Sequence, residues 1–235
     1  KTPLIIIYAS FIAISTAYSQ KSDSIKILIL KEIPILENKS LGEVERMPDI
    51  KENVIYAGKK TEVIQLDKIN ADISTNNTRQ VFAKVPGMSI WENDGSGIQA
   101  GVASRGLSPN RSWEFNVRQN SYDISSEAFG YPESYYTPPM EALKKIEVIR
   151  GAASLQFGPQ FGGLINYQLK KGNPTKPISF ETQQTVGSYG LFNTYNAVGG
   201  TYKKFSYYGF LHHRVAEGWR NNSRYSIYTG HFSAN

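Results

Sequence analysis

The chain changes its hydrophobic rhythm three times, and each change predicts a different kind of element. After Lys1, residues Leu4 to Ile14 form an uncharged, mostly apolar run, and Ala17, Tyr18 and Ser19 follow with small residues at alternate positions. That pattern predicts the apolar region and cleavage site of a secretory leader over residues 1–19. The run is shorter than the roughly 20 apolar residues a spanning helix needs, which leaves a membrane anchor as the alternative. Residues 20–51 are polar to mixed, with beats at Ile25, Ile27, Ile29, Ile33 and Ile35. They read as a short strand or a flexible tether.

From 61 to 172 the rhythm is that of a compact α+β domain. Asn76 or Asn77 can cap a helix over 78–85 that sets Val81, Phe82 and Val85 on one face, with Pro86-Gly87 as its stop. Short strands are expected at 88–91, 102–105, 115–118, 146–149 and 164–169. Polar, turn-rich loops are expected at 92–101 and 123–137. Pro138-Pro139 opens a short helix whose end reaches into the stretch after Glu141. Beyond Pro174 the period becomes two. Ile178, Phe180, Thr182, Gln184 and Val186 share one face, and alternation resumes over 191–200, 205–215 and 224–233 with short turns between. Four such strands of about ten residues are the pattern of a transmembrane β-barrel, and also of a soluble antiparallel sheet with one wet face.

Composition narrows the function classes. The 235 residues carry 26 Lys+Arg against 20 Asp+Glu, a formal net charge of +6, with 15 Tyr and no Cys. A basic chain suits an anionic surface or ligand, but there is no dense Lys/Arg run or nucleic-acid motif, so nucleic acid is not an expected partner. Without cysteine there is neither a disulfide framework nor a Cys metal site, and no lipid-anchoring Cys follows the leader. No nucleophile–base pair or acid–base constellation can be assembled, so the chain does not read as an enzyme and needs no cofactor. His212 and His213 are adjacent and point to opposite faces of a strand, which argues against a joint metal site. Gly151, Gly158, Gly162 and Gly163 lack the Lys-Ser/Thr of a phosphate-binding loop.

Several motifs then fall in one order. Glu52 to Ala57 is a short β-favouring run that continues through Gly58-Lys-Lys60 to Glu62. Val85-Pro-Gly-Met-Ser-Ile90 and Ala103-Ser-Arg-Gly106 follow. Ile146-Glu-Val-Ile-Arg-Gly151 comes next, with Ser154, Gly158, Gly162-Gly163 and Asn166 behind it. This order resembles TonB-dependent outer-membrane transporters: a TonB box, a plug with its Pro-Gly and Arg-Gly elements, and the plug's C-terminal signature. The resemblance covers roughly 52–235. Asn110 to Asn120 and Gly130 to Pro138 are most similar to the ferric-dicitrate type, although the family's usual Asp-Gly near Asn120-Ser121 is absent.

The resemblance implies a fold class: an α+β plug (52–172, TonB box included), then the first four or so strands (173–235) of an antiparallel transmembrane barrel, incomplete because such barrels have about 22 strands. It implies an N-terminal portion of a longer protein in the outer membrane of a Gram-negative cell. The expected activity is energised uptake of a ferric chelate, with no bond chemistry. The partners are TonB with its inner-membrane energising complex, the chelate, and outer-membrane lipid. Glu52, Asn53, Val54, Ile55, Tyr56 and Ala57 would be the box that TonB adds to its own sheet as a strand; an ordinary first plug strand is the alternative. Arg105 and Arg150 would latch the plug to acidic residues on the inner barrel wall, since a guanidinium binds carboxylate bidentately. Asn110, Arg111, Tyr131, Tyr135 and Tyr136, with Trp91 and Gln99 behind them, would offer donors to an oxygen-rich anionic chelate, or else pack the plug. Another siderophore, haem, cobalamin or a glycan remain as cargoes. A β-rich periplasmic or secreted binding module remains as the non-transporting reading.

Overall fold

The computed structural model describes residues 44–51, 54–57, 61–92, 95–129, 131–158 and 160–235. All of them belong to one unit, Asn38–Asn235. The expected leader and most of the expected tether lie outside the described residues, as do Glu52 and Asn53.

Ten strands precede residue 170: β1 (Val44–Arg46), β2 (Ile50–Lys51), β3 (Val54–Ile55), β4 (Thr61–Gln65), β5 (Met88–Trp91), β6 (Gly101–Ser104), β7 (Phe115–Gln119), β8 (Tyr122–Asp123), β9 (Leu143–Ile149) and β10 (Gly163–Leu169). Six of them form a mixed sheet in the order β1-β4-β9-β10-β7-β8, in which β10 and β7 run parallel. Alternation along its central strands gives the sheet two faces. Ile64, Ile146, Val148, Ile165, Tyr167, Phe115 and Val117 belong to the main core, together with Val81, Phe82 and Val85. Val63, Ile149 and Leu164 join Met47 and Tyr56 in a second cluster.

The helix α1 is shorter than the sequence predicts, Thr78–Phe82, and its cap is Asn77, whose side chain accepts from the Gln80 N–H at 2.9 Å. After Pro138-Pro139 the helical turn is only Met140–Ala142, and the chain is extended from Leu143 onward. The expected helix end in 141–145 is therefore a strand start. β4 pairs alongside as far as Gln65↔Lys145, and Lys145 reaches two residues along its own strand to Glu147 at 2.6 Å. The Gly-rich bend after Arg150 is a 3-10 turn over Gly151–Phe157.

Four long strands follow: β11 (Ser179–Gly187), β12 (Leu191–Tyr202), β13 (Phe205–Ala216) and β14 (Tyr225–Ala234). They form one antiparallel meander. Tyr189 and Gly190 in the first turn, and Lys203 in the second, take positive φ, as tight hairpin turns require. Tyr195, Ala197, Tyr208 and Phe210 are buried in the same core as the six-stranded sheet, so one face of the meander closes over it. The other face exposes Phe180, Val186, Leu211 and Phe232. An apolar outward face on strands of 9–12 residues is what a membrane wall needs. Among the described strands β11 and β14 stay unpaired on their outer edges, so the wall is open.

Candidate functional site

The loops between the short strands are fixed by buried polar side chains. Asn76 is almost fully buried and adopts positive φ, which asparagine tolerates better than most residues. Its Nδ2 donates to the Gly97 and Pro138 carbonyls, each at 3.2 Å, and its Oδ1 accepts from the Met140 N–H at 2.8 Å. One side chain thus ties together the loop before α1, the loop around 97 and the approach to β9. Ser112 does the same at the next loop, donating to Ala100 O at 2.5 Å and accepting from Val102 N at 3.0 Å.

On this frame the expected ligand residues fall into two groups. Arg111 Nη1 donates to the Tyr135 hydroxyl at 3.2 Å, and the guanidinium carbon lies 5.3 Å from that ring's centre. The Arg111 carbonyl accepts from Ser134 N at 2.9 Å, which holds the two loops together. Asn110 sits exposed at the start of the same turn, and Tyr131 is exposed on the second loop. Tyr136 is partly buried, and burial pushes its hydroxyl up to about 12, so it stays a neutral donor. Trp91 and Gln99 instead line a cavity of about 320 Å³ with Asn77, Glu92 and Trp219. Trp219, in the β13–β14 connection, was not foreseen. It carries Arg220 stacked 4.1 Å above its ring.

The Val54–Ile55 pair of the expected TonB box is extended and pairs antiparallel with Ile50–Lys51. Gln156 clasps it: Nε2 donates to Ile55 O at 2.5 Å and Oε1 accepts from Ile55 N at 3.2 Å. Tyr56 is buried in the second cluster, whereas Ile55 and Ala57 are exposed.

The two arginines differ. Arg150 is buried, pairs with Glu62 Oε1 at 2.6 Å, and donates to the Pro86 carbonyl at 2.9 Å. Its carboxylate partner in this structure is a β4 residue of the plug sheet, not a residue of the four-stranded wall. The cause is register: β4 and β9 pair Glu62 with Val148, two residues before Arg150. Arg105 is exposed, takes positive φ, and approaches Gly151.

A polar seam joins the sheet to the wall through residues other than these two arginines. Glu141 supplies the carboxylate from the plug side. Its Oε1 accepts from Asn193 Nδ2 of β12 at 2.6 Å, and Asn193 also donates to Ser74 O at 2.7 Å. Arg214 of β13, directly opposite Asn193 in register, donates to Ser96 O. Burial raises the Glu141 carboxyl above its ordinary range, and the Asn193 hydrogen bond and the Arg214 charge only partly offset that. Neither Glu141 nor Arg214 was singled out from the sequence. The available signal was polar residues on the inward register of strands otherwise inward-facing with Tyr, Ala and Phe.

Residues 55–164 match the family model of the TonB-dependent Receptor Plug Domain. Among solved structures, the unliganded ferric citrate transporter FecA aligns with 20% identity over 74% of this chain and 28% of its own, at a TM-score of 0.57. The copper transporter OprC aligns with 17% identity over 77% of this chain and 29% of its own, at 0.57. The pyoverdine outer membrane receptor FpvA from Pseudomonas aeruginosa PAO1 aligns with 19% identity over 73% and 24%, at 0.53. This chain thus spans under a third of the length of each of these structures, and at such identities the likeness speaks for the fold. Residues 55–164 thus carry the match to the TonB-dependent receptor plug domain, and a mixed sheet closed over by one face of an antiparallel meander, a plug followed by strands of an unclosed barrel wall, is the fold the chain shares with these solved structures.

Proposed function

We propose that the protein is an outer-membrane transporter energised by TonB, and that its cargo is a ferric chelate of the dicitrate type. The observation that carries the cargo reading is the Arg111–Tyr135 pair, a half-buried arginine held beside an exposed phenol on two mutually bonded loops. Both groups donate to oxygen, and a charged donor suits an anionic, oxygen-rich complex. Asn110, Tyr131 and Tyr136 add donors nearby in sequence; Trp91 and Gln99 flank a neighbouring cavity. In this reading residues 1–19 are the leader, 20–51 the tether, 52–172 the box and plug, and 173–235 the opening of the wall. TonB takes Glu52–Ala57 as an added strand, for which the short β2–β3 pair offers an extended backbone already shaped for pairing. Arg105 is the better candidate for a latch to the wall, because Arg150 is already neutralised within the plug.

The test is uptake of radiolabelled iron presented with citrate, with other defined chelators, and as haem, in cells with and without TonB. Arg111→Glu is expected to lower ferric citrate uptake at least tenfold at unchanged surface level. Unchanged uptake in that variant removes Arg111 from the ligand residues, and wild-type uptake no better with citrate than with the other chelators removes the dicitrate cargo.

A further inference from the structure

Two adjoining cavities, of about 930 and 540 Å³, lie where the ends of β9 and β10 meet the segment leading into the wall. Their volumes are in the range of ligand sites. Both are lined by Lys51, Lys170, Lys171 and Gln168, so they share a wall. Taken together they present six cationic side chains, with Lys144, Lys145 and Arg118 as the remainder, against the two carboxylates Glu147 and Glu181. The whole chain carries a net charge of only +6, so most of its positive excess is concentrated around one hollow.

The internal pairing leaves part of that charge uncommitted. Glu147 takes Lys145 at 2.6 Å and Lys51 at 3.3 Å, and Glu181 takes Lys170 at 2.5 Å. Arg118 has its donors fixed on Asn116 Oδ1 and on the Ser121 and Phe157 carbonyls, and it makes no ion pair among the described residues. Lys144 and Lys171 make no ion pair among the described residues. Both are exposed, and both line the larger cavity. Cations gathered around a concave, partly desolvated wall focus a positive potential into it.

We propose that this hollow is a second binding site, distinct from the Arg111–Tyr135 loops, for a compact multivalent oxyanion. Lys144 and Lys171 contact the anion, and Lys51, Lys145 and Lys170 reinforce the field while holding their own carboxylates. Citrate and pyrophosphate share the required chemistry, two or more closely spaced anionic oxygens. If the transport reading holds, the site is a station for an anionic cargo on its way past the plug; the binding itself does not depend on that reading.

The test uses the full-length receptor in detergent, with citrate and pyrophosphate as separate probes. Calorimetry at low and at half-molar salt measures affinity. Amine-reactive labelling reads protection of Lys144 and Lys171 against the turn lysines Lys203 and Lys204. Expected results are binding that weakens at least tenfold with added salt, and selective protection of Lys144 and Lys171. Lys144→Gln with Lys171→Gln should lose at least tenfold in affinity, and the paired Arg substitutions should restore it. Stronger binding of citrate points to a carboxylate cargo, and stronger binding of pyrophosphate to a phosphate source. Neither probe protecting the two lysines in the wild type overturns the site, whether or not the variants fold. Protection without any cellular uptake of ferric citrate keeps the site and removes the dicitrate cargo.

Discussion

Replacing Glu141 with alanine should loosen the plug from its wall more than replacing any exposed loop residue. The carboxylate is buried, accepts from Asn193 at 2.6 Å, and faces the Arg214 charge on the neighbouring strand. Breaking a buried charged pair by removing one partner costs about 3–5 kcal/mol. Because Glu141 meets Asn193 through a hydrogen bond and Arg214 only through its charge, the lower end, about 3 kcal/mol, is the better expectation. A plug of this size has a urea slope of about 1.5 kcal/mol per molar, so the unfolding midpoint should fall by about 2 M. The assay is conductance of the full-length receptor in planar bilayers across a urea series, where opening reports the plug leaving the wall. Glu141→Gln keeps the acceptor for Asn193 and should shift the midpoint by less than half as much. The pH dependence has a definite sign. A carboxyl raised in the folded state stabilises fully below its ordinary value of 4.5 and loses that contribution as pH rises through the folded value. Wild type should therefore open more readily as pH climbs through that window, and Glu141→Gln should not. An alanine midpoint within 0.5 M of wild type, at any pH tested, would refute the seam as a source of plug retention.

Asn76→Ala leaves two carbonyls and one N–H buried without their partner and puts alanine at positive φ, so it should cost about 3 kcal/mol or more, read as a lower urea midpoint with faster amide exchange at Met140. Gln156→Ala removes both hydrogen bonds on Ile55, worth about 1–2 kcal/mol, and should speed exchange of the Ile55 amide about tenfold with no change in exchange at Ile146. For Asp72, burial works to raise the pKa, but bonds from Thr75 and Ser74 outweigh it and the value is lowered. Its contribution is present above pH 3.8 and lost as pH falls further, so Asp72→Asn should flatten the acid limb of plug unfolding followed by amide exchange at Ser74.

What the sequence exposed and what it hid divide along one physical line. The four wall strands were legible because each separates two media, and a side-chain period of two writes that separation into the chain. Val81, Phe82 and Val85 were legible for a similar reason, since one helical turn brings them to one face. The adjacent asparagines were only half legible. A local cap signal cannot tell Asn77, which caps, from Asn76, whose partners include a residue 64 positions away. Arg150 showed its turn but not its partner, because the choice between Glu62 and a wall carboxylate depends on which strand lies beside β9.

Glu141 and Arg214 show where the limit falls. A two-residue turn at Lys203-Lys204 sets Asn193 opposite Arg214, so the sequence held a polar spot on the inward face of the wall once that turn was accepted. An arginine at an inward position, on strands whose neighbouring inward residues are Tyr195, Ala197, Tyr208 and Phe210, requires a polar partner on whatever it packs against. That demand could be read from the strands. Its answer could not, because Glu141 comes from an element with its own rhythm and no spacing relation to the wall. The interface between plug and wall is therefore the part of this protein that only the fold discloses.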